Sequence, residues 1–181
     1  MELSGEQLLP VDQQRAWAAL NDVDVLQACV PGCESMKRTA QDRYEATVNA
    51  AIGPVRARFT GTFSLADVNA PESYTLRFDG SGGATGFVRG QARVVLRADG
   101  PDRTILSYAT SAQVGGKLAQ IGSRLIDAAA GAMSEKFFAS FSQRLAAAPA
   151  GAAAAGAQEA PRGPGLWSLL WAILRRLFAR R

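Results

Sequence analysis

Alternation of apolar and polar residues runs through most of the chain between residues 44 and 114. The clearest stretch is Val55 to Leu65, where Val55, Ala57, Phe59, Gly61, Phe63 and Leu65 alternate with Arg56, Arg58, Thr60, Thr62 and Ser64. A period of two puts every second side chain on the same face of a strand, so one face is core and the other meets water. The same pattern predicts strands over 44–52, with Tyr44, Ala46, Val48, Ala50 and Ile52 inward, and over 74–80. It also predicts strands over roughly 85–97, with Val88, Gly90, Ala92, Val94 and Leu96 inward, and over 104–114, with Leu106, Tyr108, Thr110 and Ala112 inward. Residues 1–9 read as a further strand. Asp12 then introduces a short helix with Trp17 and Leu20 on one face, and a second helix around 22–28 ends at Pro31-Gly32, after which the pattern turns to period two.

After Gly115-Gly116 the period becomes helical. Leu118, Ile121, Leu125, Ala128, Ala129, Ala132, Met133, Phe137 and Phe141 form one stripe that ends near Leu145. The order is strand, two short helices, six hairpin-linked strands and a long helix. It predicts an α+β domain over residues 1–146, an antiparallel sheet with its helices packed on one face.

The inward positions are small: Ala46, Ala50, Ala57, Gly61, Gly90, Ala92 and Ala112 on the strands, and Gly122, Ala128, Ala129 and Ala132 on the helix. Two arrangements satisfy such a set, tight packing of helix on sheet or an interior that the side chains do not fill. In the second, the walls come from Phe59, Phe63, Phe78, Val94, Leu96, Ile121, Leu125 and Phe137, with Ala57, Gly61, Ala92, Leu118 and Ala129 among them. Such a pocket suits a flat, apolar ligand, to which only Tyr108, Thr110 and backbone groups would offer hydrogen bonds.

Beyond the domain, residues 147–164 are almost wholly Ala, Gly and Pro, with Gln158, Glu159 and Arg162 the exceptions. They present no apolar stripe, and Pro149, Pro161 and Pro164 break any long helix, so they read as a flexible linker. Residues 165–181, GLWSLLWAILRRLFARR, are different in kind. On a helical wheel Leu166, Leu170, Ile173, Leu174 and Leu177 share one face, flanked by Trp167, Trp171 and Phe178, while Arg175 and Arg176 lie on the other side. The apolar run stops at Arg175, too early to cross a bilayer, which takes about 20 apolar residues. A helix lying in the headgroup plane fits better. Aromatics favour that interface, and each arginine near anionic lipid contributes about 1 kcal/mol. Docking on its own domain or on a partner protein is the other use for such a helix.

Charge sharpens this division. Lys and Arg number 20 against 16 Asp and Glu, and residues 158–181 hold five Arg against Glu159 alone, which leaves 15 of each sign in the rest of the chain. A domain without net charge offers no basic face to nucleic acid, so no nucleic-acid partner is expected. There is no histidine. That removes imidazole metal ligands, Ser-His-Asp and Cys-His nucleophiles, and the commonest general base. Cys29 and Cys33 are two thiols at a spacing one residue too long for a thioredoxin-type pair and too few for zinc, so no metal site and no catalytic residue is expected. The N-terminal MELSGEQLLP lacks the basic and apolar regions of a secretory signal, which points to the cytoplasm. GSGGATGFVRG, Gly80 to Gly90, joins two strands rather than a strand and a helix. It therefore reads as a tight turn with close backbone approach, not a phosphate cradle.

Four motifs in order, PGCES (Pro31 to Ser35), GPVRARF (Gly53 to Phe59), GGATGFVRGQA (Gly82 to Ala92) and the run from Tyr108 through QVGGKLAQIGSRLID to Asp127, closely resemble the CoxG family of carbon monoxide dehydrogenase subunits. The resemblance covers approximately residues 1–145. It implies a START-like helix-grip fold, a curved antiparallel sheet gripping a long C-terminal helix around an apolar cavity. It also implies an accessory role: recruiting a molybdenum-containing carbon monoxide dehydrogenase, or a related hydroxylase, to the cytoplasmic face of the inner membrane, and binding a respiratory quinone, menaquinone or ubiquinone, as electron acceptor. Family members often carry an Ala/Pro-rich linker and a membrane-binding C-terminal segment, which residues 147–181 resemble. A ligand-free membrane anchor and a general carrier of lipids or other apolar ligands are the alternatives.

Overall fold

A computed structural model describes residues 1–147. Over these the chain runs β1 (Glu2–Leu9), α1 (Gln13–Leu20), α2 (Val23–Cys29), β2 (Cys33–Ala40), β3 (Arg43–Ile52), β4 (Val55–Asn69), β5 (Ser73–Ser81), β6 (Phe87–Ala98), β7 (Thr104–Gly115) and α3 (Ser123–Ala147). Short 3-10 turns cover Gly83–Thr85 and Gly116–Ile121. The linker and the amphipathic helix expected over 147–164 and 165–181 lie outside the described residues, apart from Ala147 at the end of α3. No helix among the described residues is long and apolar enough to cross a membrane.

The strands form one antiparallel sheet in the order β1-β7-β6-β5-β4-β3-β2. Every pair but β1 with β7 is a hairpin between sequence neighbours, so the two short helices carry the chain from one edge of the sheet to the other. Their starts are fixed locally. Asp12 accepts from the Arg15 amide at 3.0 Å, and Asp22 accepts from the amides of Asp24 at 2.9 Å and Val25 at 3.2 Å, satisfying amides that have no partner within a helix.

The concave face is filled unevenly, and the cross-strand register explains why. At one end Leu96 faces Leu106, 2% and 1% exposed, and the next row is Tyr74, Val94 and Tyr108. Trp17 of α1 meets Tyr74 edge-on, ring centroids 5.6 Å apart, and Phe138, Phe141 and Leu145 of α3 complete this core. Toward the other end the rows shrink, first to Tyr44, Phe63, Phe78, Gly90 and Ala112, then to Ala46, Gly61, Gly80, Val88 and Val114. The glycines also let the sheet bend sharply. A Cβ at Gly61 would meet the Asp79 carbonyl oxygen and stand 2.7 Å from the Gly80 Cα.

The single helical stripe from Leu118 onward requires correction. Gly122, at φ +93°, separates the 3-10 turn from α3 and resets the helical phase. Ile126 is therefore buried where Leu125 was expected, and Leu125 is 48% exposed. Leu118 is fully buried from the 3-10 turn, and Ile121, at the end of that turn, is not on α3 at all.

Candidate ligand-binding cavity

Between the small-residue end of the sheet and α3 lies a cavity of about 410 Å³. Ala46, Val48, Ala50 and Ile52 of β3 and Phe59, Gly61 and Phe63 of β4 form one wall, with Phe78, Gly80, Val88 and Val114 from the remaining strands. Leu118, Ile126, Ala129, Ala130 and Met133 close it from the helical side, and Val30 and Met1 complete the lining. Thr62 and Asp79 border it through backbone only. They alternate with the inward positions, and both also line a shallow site on the outer face. No charged side chain of the described residues points into the cavity, which agrees with the alternation of Arg56, Arg58, Arg77 and Arg89 to the outside.

A second apolar cavity of about 290 Å³ lies deeper. It shares Val30, Ala46, Val48, Phe63 and Phe78 with the first and is bounded further in by Leu20, Leu26, Met36, Leu65, Leu76 and Phe137.

The structure gathers six of the residues expected at the site, Phe59, Gly61, Phe63, Phe78, Leu118 and Ala129, on the larger cavity, and puts Phe137 on the smaller. The others lie elsewhere. Ala92 and Val94 are buried in the filled part of the face, and Thr110, in the same row as Ala92, is away from both cavities. Tyr108 lies over Gly5, where an added Cβ would stand 2.7 Å from its hydroxyl, stacks on Phe138 at 5.3 Å and accepts a 3.0 Å hydrogen bond from Ser134. Ala57, Ile121 and Leu125 border neither cavity. Alternation alone could not separate the filled rows from the hollow ones, since both obey the same period. Val88, Val114 and Met133 lay on the inward faces already. Ile126 and Ala130 were hidden by the phase change at Gly122, and Val30 and Met1 belong to no periodic segment.

The remaining chemistry is sparse. Cys29 is buried and Cys33 half-buried, both free thiols, and burial raises both above the ordinary thiol range, so they stay protonated and unreactive near neutral pH. Among the described residues no group of three or more His, Cys, Asp or Glu could hold a metal.

Residues 5–146 match the family model of CoxG, a subunit of carbon monoxide dehydrogenase. The chain belongs to that family. The four motifs that carry the CoxG resemblance come together at the hollow end. PGCES follows Val30, GPVRARF turns β3 into β4, GGATGFVRGQA forms the β5–β6 connection, and the last run leads from β7 into α3. Gly86, at φ +131°, and Gly116, at φ +73°, bring the third and fourth motifs together, for a Cβ at Gly116 would stand 2.6 Å from the Gly86 Cα. These turns are sites of backbone approach, as the sequence suggests, and not anion cradles.

Among solved structures, the chain is similar to a conserved protein from Geobacillus kaustophilus, with 29% identity and a TM-score of 0.76 over 81% of this chain and 95% of that one. It shares its fold with a START superfamily protein from Mycobacterium smegmatis, at 12% identity and a TM-score of 0.63 over 80% and 97% of the two chains. It shares it also with the ZhuI aromatase/cyclase from Streptomyces sp. R1128, at 10% identity and a TM-score of 0.59 over 81% and 93%. The CoxG domain thus has the START-like helix-grip fold, a curved sheet with a long C-terminal helix across it. No match was found among curated proteins.

Proposed function

We propose that this protein is an accessory subunit of a carbon monoxide dehydrogenase or related molybdenum hydroxylase, that its larger cavity binds the ring and first isoprene units of a respiratory quinone, and that residues 165–181 hold it on the cytoplasmic face of the membrane. The observation that carries the reading is the cavity itself, about 410 Å³ and lined by aliphatic and aromatic side chains in a CoxG domain. That size lies within the range of small-molecule sites, about 300 to 1,000 Å³. Its affinity would come from apolar surface removed from water, at about 25 cal/mol per Å².

Among the described residues no acidic or basic side chain points into the cavity to serve as general acid or base, so the protein is read as a carrier that presents its ligand to an enzyme rather than as a catalyst. The amphipathic character of residues 165–181 supports adsorption to anionic lipid.

Two measurements test the two halves. Protein purified from a quinone-producing host is extracted with organic solvent and assayed for quinone by absorbance and mass. A quinone-free extract, from protein that also refuses added quinone analogues, removes the carrier. Flotation with anionic liposomes is compared for the full chain and a chain ending at Ala146. Equal behaviour of the two removes the membrane anchor.

A further inference from the structure

The smaller cavity is not needed to hold a flat ring, and its boundary with the larger one has a particular construction. Phe63 and Phe78 are direct cross-strand partners, and both line both cavities. They are held differently. The Phe63 ring stacks on Tyr44 with centroids 4.7 Å apart and planes 4° from parallel. Tyr44 is itself 1% exposed, and its hydroxyl accepts a 2.8 Å hydrogen bond from Arg38 Nη2. Phe63 is therefore a fixed post. Phe78 stacks on no ring among the described residues, and its partner on β6 is Gly90, which has no side chain to brace it from that side. Two χ1 rotamers are common on strands, so Phe78 is the member of the pair that can swing.

What lies behind Phe78 is hydrocarbon and thioether, chiefly Leu26, Met36, Leu65 and Leu76. A carbonyl-bearing ring placed there would give up its hydrogen bonds to water for walls that offer almost none, whereas an alkyl or prenyl chain loses nothing by the move. Met36 adds a flexible wall that adapts to chains of different shape.

We propose that the smaller cavity is a second subsite, for the hydrocarbon chain of a ligand whose ring lies in the larger one, and that Phe78 is the gate between them. The inner subsite then selects ligands by chain length. This rests on the reading of the larger cavity as a ligand site.

The test uses the full chain and a probe series consisting of dimethylnaphthoquinone and the same ring carrying saturated chains of increasing length. Affinity is expected to rise about fourfold per methylene (about 0.8 kcal/mol) until the inner cavity is filled, and then to stop rising. Leu76→Trp, which fills the inner cavity, should flatten that rise while leaving the ring alone bound as before. Phe78→Ala should speed association of the long-chain probes without changing that of the ring. A diazirine at the chain terminus of a long probe should label Leu26, Met36 or Leu76 in the unaltered protein, a readout that requires no variant to fold. Ring binding with no gain from the chain, or labelling confined to Met133 and Ile126 in the larger cavity, overturns the inner subsite alone. If neither the ring nor any chained probe binds, the reading of the larger cavity falls and the subsite with it.

Discussion

Ser134 of α3 donates a 3.0 Å hydrogen bond to the hydroxyl of Tyr108 on β7. This contact takes the most obvious polar handle on the concave face away from the ligand and gives it to the helix, with Gly5 leaving room for the ring. The expected consequence is that Tyr108→Phe leaves the binding of quinone analogues unchanged and lowers stability by about 0.5 to 1.5 kcal/mol, the usual worth of one internal hydrogen bond. Equilibrium denaturation and a ligand titration on the same sample check both halves. Lost binding with unchanged stability would return Tyr108 to the ligand.

Gly61 and Gly80 are cross-strand partners with opposite tolerance. A Cβ at Gly61 would meet backbone on β5, whereas one at Gly80 has only the Val88 carbonyl oxygen, at 3.7 Å, in ordinary contact. Gly61→Ala should therefore destabilise the domain by about 1 to 3 kcal/mol, the range for overpacking. Gly80→Val should fold normally, because a β-branched residue suits a strand, and should project into the larger cavity and cut ligand uptake. Thermal unfolding and probe binding measured on both variants separate the two effects. A Gly80→Val protein that loads like the parent would exclude this cavity as the ligand site.

Much of this was legible in the sequence because a half-buried antiparallel sheet writes its period directly into the chain. The alternation in Val55 to Leu65 places Phe59, Gly61 and Phe63 on the cavity wall without further information. What alternation cannot convey is depth. Val88 and Val94 occupy equivalent inward positions on β6, yet Val94 is packed with Trp17, Tyr74 and Phe138 while Val88 faces the cavity, because the helices cover only part of the sheet. The helix failed for a local reason. A glycine in the left-handed region interrupts a stripe that reads as continuous, and the positions beside the interruption, Ile121 and Leu125, are misplaced as a result.

Leu125 and Ile126 make that phase error measurable. Leu125, 48% exposed, should accept Gln with a change within about 0.5 kcal/mol. Ile126, 9% exposed and on the cavity wall, should lose about 2 kcal/mol as Ile126→Ala, near the low end of core truncations because one side already borders the cavity. Denaturant midpoints of the two variants decide it. Equal losses at both positions would mean that α3 does not start anew after Gly122.

Tyr74 supplies a pH dependence of known sign. Its side chain is buried under α1 with Trp17 edge-on, and burial, followed by the neighbouring Tyr44, pushes its phenol well above the ordinary tyrosine value. The folded chain thus keeps a proton that the unfolded chain releases near pH 10. Between the unfolded and folded values the native state binds more protons, so stability is intact below about pH 10 and falls as pH rises above it, by at most about 1.4 kcal/mol per pH unit. Tyr74→Phe has no proton to release, and it should lose less stability than the parent between about pH 9 and pH 11. Urea denaturation across that window gives the comparison directly. Parallel curves for the two proteins would show that Tyr74 ionises in the folded state as easily as in the unfolded one, and that its burial under α1 is not maintained in solution.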